Sequence, residues 1–288
     1  MPCIISSGCN WCRSNKNIYT KMVQRIKGFL LAIYVKRGII KELTKRNFQQ
    51  QYMGSYLGFI WVFLQPLIFI SVLYAVFTFG LRSGSTSDVP FVVYLICGMI
   101  AWMYFAEILN STTGIISGHA FLVKKVDFRL SILPIVKILS ALVPHVFFLF
   151  IATIICWLKG FTPSLYIFQV FYYMGAMIFL LLGLSWITSS TSLFVKDVLR
   201  VVSIITQFGF WLTPIFWNIK MIPEGYRWII KLNPIYYIVN GYRDSFVNKI
   251  PFWEHPYETI YFWLFTLVVM YVGITIFGKL RPHFAEVV

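Results

Sequence analysis

Six apolar blocks, each long enough to cross a bilayer as a helix, constrain this chain more than any motif in it. They lie at about 57–79, 90–108, 130–158, 166–194, 201–217 and 258–277. An α-helix rises 1.5 Å per residue, so about 20 apolar residues span roughly 30 Å of hydrocarbon. A membrane β-barrel would instead show short alternating segments of about ten residues, and none dominates. With 59% hydrophobic and only 12% charged residues, the chain lacks the polar groups to cover a soluble domain. The expected fold class is an all-α membrane protein with six transmembrane helices.

The formal net charge of +15 invites a nucleic-acid reading. The positions of the charges favour topogenic lysine and arginine instead, and no nucleic-acid partner is expected. With the N-terminus inside, seventeen Lys and Arg fall in inner segments and seven in outer ones, with Lys137 left inside the third span. Six spans with both termini cytoplasmic satisfy that bias.

The stretch ahead of the first block is a second constraint. Ile39, Ile40 and Leu43 share one side at helical spacing, and Lys36, Arg37, Lys41 and Lys45 are available for the other. Such a helix lies in the membrane surface, on the anionic cytoplasmic leaflet. The expected organisation is a cytoplasmic tail at 1–33, an interfacial amphipathic helix at 34–56 and a six-span domain at 57–288. The tail holds Cys3, Cys9 and Cys12. Cys9 and Cys12 have metal or redox spacing but no second pair and no nearby His, so reduced thiols are the plainer reading. Cys97 and Cys156 lie in apolar blocks and read as small packed hydrophobes.

Between the fifth and sixth blocks, residues 218–257 are rich in Trp, Tyr, Ile and Pro. The apolar runs there, around Trp228 and around Asn233, Pro234, Tyr236 and Tyr237, are too short to cross a membrane. They are expected to form two short re-entrant outer helices.

No motif for covalent chemistry emerges. There is no Gly-rich phosphate loop, so nothing suggests that the chain itself binds ATP. The four histidines are scattered, and no catalytic or metal-ligand set is expected. Glu107 is the exception among the acids, near the inner end of the second span. An intramembrane carboxylate is a functional candidate by default, although Asn110 or an interfacial cation could partner it structurally. A secondary transporter would need more buried ionisable groups. Aromatic residues inside the spans stand out: Trp61, Phe63, Phe69 and Tyr74 in the first, and Phe208, Phe210 and Trp211 in the fifth. Trp and Tyr rings can stack on the apolar faces of sugars and still offer donors at the rim. Trp61 and Gln65 are one helical turn apart and share a face.

Lys45-Arg46, then Tyr52-Met-Gly54-Ser55-Tyr-Leu57-Gly58-Phe-Ile-Trp61 and Gln65-Pro66-Leu67, resemble the start of the transmembrane subunits of polysaccharide ABC exporters. These permeases export lipid-linked O-antigen, capsule or teichoic acid. Leu95 to Trp102, Asn110 to Arg129, Leu212 to Trp217 and Leu232 to Tyr236 extend the likeness over about residues 34–285. The resemblance implies a homodimer in the bacterial inner membrane, paired with two copies of a separate ATPase that binds ATP and Mg. This chain would then be a transport subunit rather than an enzyme, with no cofactor of its own. It implies a glycan path along the first and fifth spans, with Trp61, Phe63, Gln65, Phe69, Tyr74, Phe208 and Trp211 as candidates. It also implies ATPase coupling through His119, Lys124, Lys125, Asp127 and Arg129. O-antigen is the expected cargo. Alternatives are capsule, teichoic acid or a smaller lipid or drug. A membrane-integral glycan enzyme using Glu224, Asp244, Glu254 or Glu258 is the rival from another class.

Overall fold

The computed structural model describes residues 34–52, 58, 60–80, 89–123 and 129–287. The tail at 1–33 with its three cysteines, Gly54, Ser55, Lys124, Lys125 and Asp127 lie outside the described residues. Among the described residues every regular element is helical. We number them α1 (Arg37–Tyr52), α2 (Ile60–Ala75, prolonged by a π-turn at Val76–Gly80) and α3 (Phe91–Thr113). Then come α4 (Leu133–Leu158), α5 (Gln169–Phe194) and α6 (Asp197–Leu212). The short α7 (Arg227–Lys231) and α8 (Pro234–Arg243) precede α9 (Pro256–Leu280).

Among the described residues, five helical stretches are long and apolar enough to cross a membrane: Ile60–Gly80, Phe91–Thr113, Leu130–Leu158, Leu165–Phe194 and Pro256–Val287. The stretch expected as the fifth of six spans, 201–217, differs. Its helix is α6, which has 16 residues and stops at Leu212, giving a length of about 24 Å. The cause is local. Pro214 cannot donate to a helix and disfavours helical backbone at the residue before it. Thr213 is accordingly extended, with φ −84° and ψ 133°.

Helix α3 forms the centre. Its apolar window is 72% buried, against 11% for the α2 stretch, and α2, α4, α5, α6 and α8 all pack on it. α1 lies along α4, where Ile40 meets Ile132 and Val136 with Leu43 beside them. Ile39 points away and is exposed, so the apolar side of α1 is narrower than the spacing suggests.

The most extensively packed helix pair is α5 with α9, and glycine lets their backbones approach closely. A Cβ on Gly273 would meet the Gly183 carbonyl oxygen at 2.6 Å. Small residues let helices in lipid approach this closely, where no hydrophobic drive separates helix from solvent. The α3–α5 contact is polar by comparison. Thr112 and Ser185 share a hydrogen bond of 2.8 Å, and Ser192 donates to the Thr113 carbonyl. Replacing Thr112 with Val keeps the shape and removes the first of these bonds. The expected loss is about 0.5–1.5 kcal/mol, the range of buried interhelical hydrogen bonds in membranes. Thermal unfolding of the detergent-solubilised protein measures it, and an unchanged midpoint would show that the bond contributes nothing net.

Candidate functional site

A cavity of about 810 Å³ opens between α2, α3, α4 and α6. Two parallel tracks of side chains line it. On α2 they are Trp61, Gln65 and Phe69, and on α6 they are Ser203, Gln207 and Trp211. Each track repeats every four residues, so each forms one helical face. Pro66, inside α2, also lines the cavity. A backbone carbonyl freed by an intrahelical proline is tolerable in a membrane only against protein or a wet space.

The opposite walls come from the interior of the fold. α3 supplies Trp102, Tyr104 and Glu107, and α4 supplies Pro144, His145 and Phe148. Phe69 and Phe210 approach to 6.0 Å between ring centroids and bridge α2 to α6. Trp102 lies 6.2 Å from Phe210. Behind the wall, His145 Nε2 and Tyr242 Oη are 2.9 Å apart, with both side chains buried. This bond ties α4 to α8. The lining mixes polar side chains, Gln65, Glu107, Ser203 and Gln207, with the rings of Trp61, Phe69, Phe210 and Trp211.

Glu107 is half-buried and faces this space. Asn110, suggested by the sequence as its structural partner, is engaged elsewhere. Its Nδ2 donates to the Ala106 carbonyl at 2.8 Å and to Thr206 Oγ1 at 3.0 Å. Lys137, buried on α4, and Tyr104 on α3 both lie in the electrostatic field of Glu107.

Of the path candidates, Trp61, Gln65, Phe69 and Trp211 come together in the cavity. Phe63 packs instead on Phe147 and Phe148 of α4, with centroids 4.2 Å and 6.2 Å away. Tyr74 stacks on Phe91 at 6.5 Å, and Phe208 is 63% exposed on the outside of α6. The sequence reading missed Ser203 and Gln207, although the four-residue spacing that singled out Trp61 and Gln65 would have found them. Trp102, Tyr104 and His145 carry no such signal, because only tertiary packing brings α3 and α4 to the site.

Just past α6 lies a non-helical segment, 213–217, held by four separate bonds. Asn233 Nδ2 donates to Thr213 Oγ1 at 2.9 Å, and Arg243 Nη2 to the Ile215 carbonyl at 2.8 Å. Tyr94 Oη donates to the Trp217 carbonyl at 2.9 Å, and Trp217 Nε1 to the Trp211 carbonyl at 3.1 Å. Asn233 also caps α8, accepting from the Ile235 amide at 3.0 Å, with Pro234 as first helical residue. Tyr236 and Tyr237, on α8, are buried, whereas Trp228 on α7 is exposed.

Three of the four outer acids, Glu224, Asp244 and Glu258, are structurally engaged. Lys231 pairs with Glu258 at 2.8 Å and Arg227 with Glu224 at 3.0 Å. Asp244 accepts from Asn240 and Asn248 at 2.9 Å and 2.7 Å, with His255 Nε2 3.3 Å away. Burial pushes the Asp244 carboxyl up, against the pull of Asn248, His255 and Arg243. Such partners hold the loop together and leave these three carboxylates poorly placed for acid–base work on a sugar. On the far side of the protein, His119 Nδ1 lies 2.9 Å from the Ile115 carbonyl, and Arg129 is exposed just before the turn into α4.

Residues 39–247 match the ABC-2 type transporter family. An O-antigen export system permease protein of Klebsiella pneumoniae is 29% identical over 248 residues, covering 85% of this chain and 93% of the relative. One from Myxococcus xanthus is 24% identical over 257 residues, covering 88% and 96%. A polysialic acid transport protein of Escherichia coli is 20% identical over 249 residues, covering 84% and 93%.

Proposed function

Because the chain belongs to the ABC-2 type transporter family, we propose that it is the permease of an ATP-driven polysaccharide exporter. Its cargo is a lipid-linked glycan, O-antigen first, moved from the cytoplasmic to the outer face of the inner membrane. The relatives with the higher identities are O-antigen export permeases, and a polysialic acid transporter follows at lower identity. Capsule is therefore the nearest alternative cargo.

The observation that carries this reading is the four-helix cavity. Rings for stacking and amides for hydroxyl groups lie on the same two helical faces, which is what a passing sugar chain requires. In the proposed topology α6 and the segment to Trp217 together make the fifth of six crossings. α7 and α8 form the outer re-entrant pair, and α1 lies in the cytoplasmic interface with both termini inside. Two copies of the chain pair with two ATPase subunits, which bind ATP and Mg. The segment from His119 to Arg129, with Lys124, Lys125 and Asp127, couples the chain to the ATPase.

Trp61→Ala tests the path. Losing one ring contact of about 0.5–1.5 kcal/mol should lower export by roughly three- to tenfold. Assembly with the ATPase should persist, because Trp61 is 43% exposed. Surface glycan and the amount of assembled complex are measured together. Normal export at normal complex levels would remove Trp61 from the path.

A further inference from the structure

A second, smaller apolar cluster lies apart from the main core, at the inner ends of the helices in the proposed topology. It includes Ile115, Ile116, Leu130, Leu133, Phe277 of α9 and Phe284. Phe284 comes from the helical stretch that follows α9, residues 281–287. Within that stretch Phe284 is 1% exposed, and every other residue is exposed. Its ring stands edge-on to Phe277, 5.5 Å between centroids, and 6.1 Å from Phe194 at the end of α5. The stretch is held in place through this one side chain.

The same cluster takes in both flanks of the segment from His119 to Arg129. On one flank, Ile115 and Ile116 belong to a single-turn helix, Ile115–Gly118, packed on α4 and α5. On the other, Leu130 opens the turn Leu130–Ile132 that leads into α4. Two hydrogen bonds fasten the flanks to α5. Trp186 Nε1 donates to the Ser131 carbonyl at 3.2 Å, and Ser192 Oγ donates to the Thr113 carbonyl. The helix that carries Phe284 packs on α5 as well. One flank continues α3 and the other begins α4, and both of these helices wall the cavity. Close-packed interiors transmit a displacement, whereas a void left by a missing ring lets its neighbours relax into it. A push on the flanks reaches α3 and α4 only if the cluster does not yield.

We propose that Phe284 is a positioning residue for ATP-driven export, bracing both flanks of the coupling segment so that the ATPase stroke reaches α3 and α4. The proposal rests on the exporter reading above and adds to its coupling machinery a residue far from 119–129 in sequence.

The test uses the full chain assembled with its ATPase subunit and compares the unaltered protein with Phe284→Ala and Phe284→Leu. The readouts are surface glycan per assembled complex, ATP hydrolysis by the purified complex, and hydrogen exchange at 113–118 and 130–133. Phe284→Ala should lower export per complex about five- to tenfold while ATP hydrolysis stays within about twofold, a range that mutations in a coupling network reach without touching either ligand. Protection at both flanks should fall on the order of tenfold. Phe284→Leu refills most of the volume and should bring export back to within about twofold. Normal export per complex in Phe284→Ala would overturn the proposal. So would lowered export with the flanks as protected as before, or ATP hydrolysis and export falling in equal measure. Should Phe284→Ala fail to assemble, Phe284→Val takes its place, and a fall in export per complex smaller than about threefold then overturns the brace. An unaltered complex that hydrolyses ATP but exports no glycan would overturn the exporter reading itself.

Discussion

Replacing Gly241 with alanine is expected to destabilise the protein by about 3 kcal/mol, the upper end of the usual cost of overpacking. The methyl group would fall inside the van der Waals envelope of three carbons of the Tyr173 ring. Neither side can yield cheaply. Tyr173 is fully buried, edge-on to Tyr237 at 5.3 Å. α8 is pinned at one end by Asn233 and at the other by Arg243. Fluorescence-detected size exclusion and a thermal midpoint would report the loss. The discriminating variant combines Gly241→Ala with Tyr173→Ala. Tyr173→Ala alone opens a void and is itself costly. In the double variant the added methyl points into that void, so it should be no worse than Tyr173→Ala alone. Additive losses would mean that the Gly241 effect comes from somewhere other than the ring.

The apolar blocks made the long helices legible, because burial in lipid demands length and composition that the sequence displays directly. The same signal overreached at residues 201–217, where apolar composition continues past Leu212 but helix does not. Composition there is blind to Pro214, whose effect is on backbone geometry. The site was half legible for a related reason. Trp61 and Gln65 share a face by helical period alone, and that face does meet the cavity. Phe63 sits two residues further on, more than half a turn away, and packs into α4 instead. The rest of the wall depends on pairs far apart in sequence, such as His145 with Tyr242, which no local pattern records.

Charge was the other misleading signal. Arg243 counts, by sequence, among the outer topogenic cations. In the structure it is 4% exposed, with its guanidinium carbon 3.6 Å above the Tyr94 ring centroid. Asp244 next to it reads as an exposed loop acid and is instead buried among Asn240, Asn248 and His255. Counting Lys and Arg works for orientation because solvated charges resist crossing the membrane. A cation held by a ring and carbonyls has left that population, and its role becomes local: it joins α8 to α3 and to the segment 213–217.

That role predicts a large effect for Arg243→Met. Methionine matches much of the volume but donates nothing. The Ile215 carbonyl, just past the end of α6 where helical partners run out, would lose its 2.8 Å donor. The Tyr94 ring would lose its cation. Buried ion pairs can often be exchanged for apolar residues without loss. Here the main acceptor is a backbone carbonyl that cannot be replaced along with its partner, so an orphaned polar group remains. The expected cost is about 2–4 kcal/mol, combining an unsatisfied buried acceptor with the lost cation–π contact. Arg243→Lys keeps the charge but loses the planar fork, so it should recover only part of that. Hydrogen exchange locates the damage. Protection should fall across 213–217 and α8 in the methionine variant, while the glycine-packed α5–α9 pair stays protected. Uniform loss across both regions would indicate general unfolding. Full protection of 213–217 would show that Asn233 and Tyr94 hold the segment without the arginine.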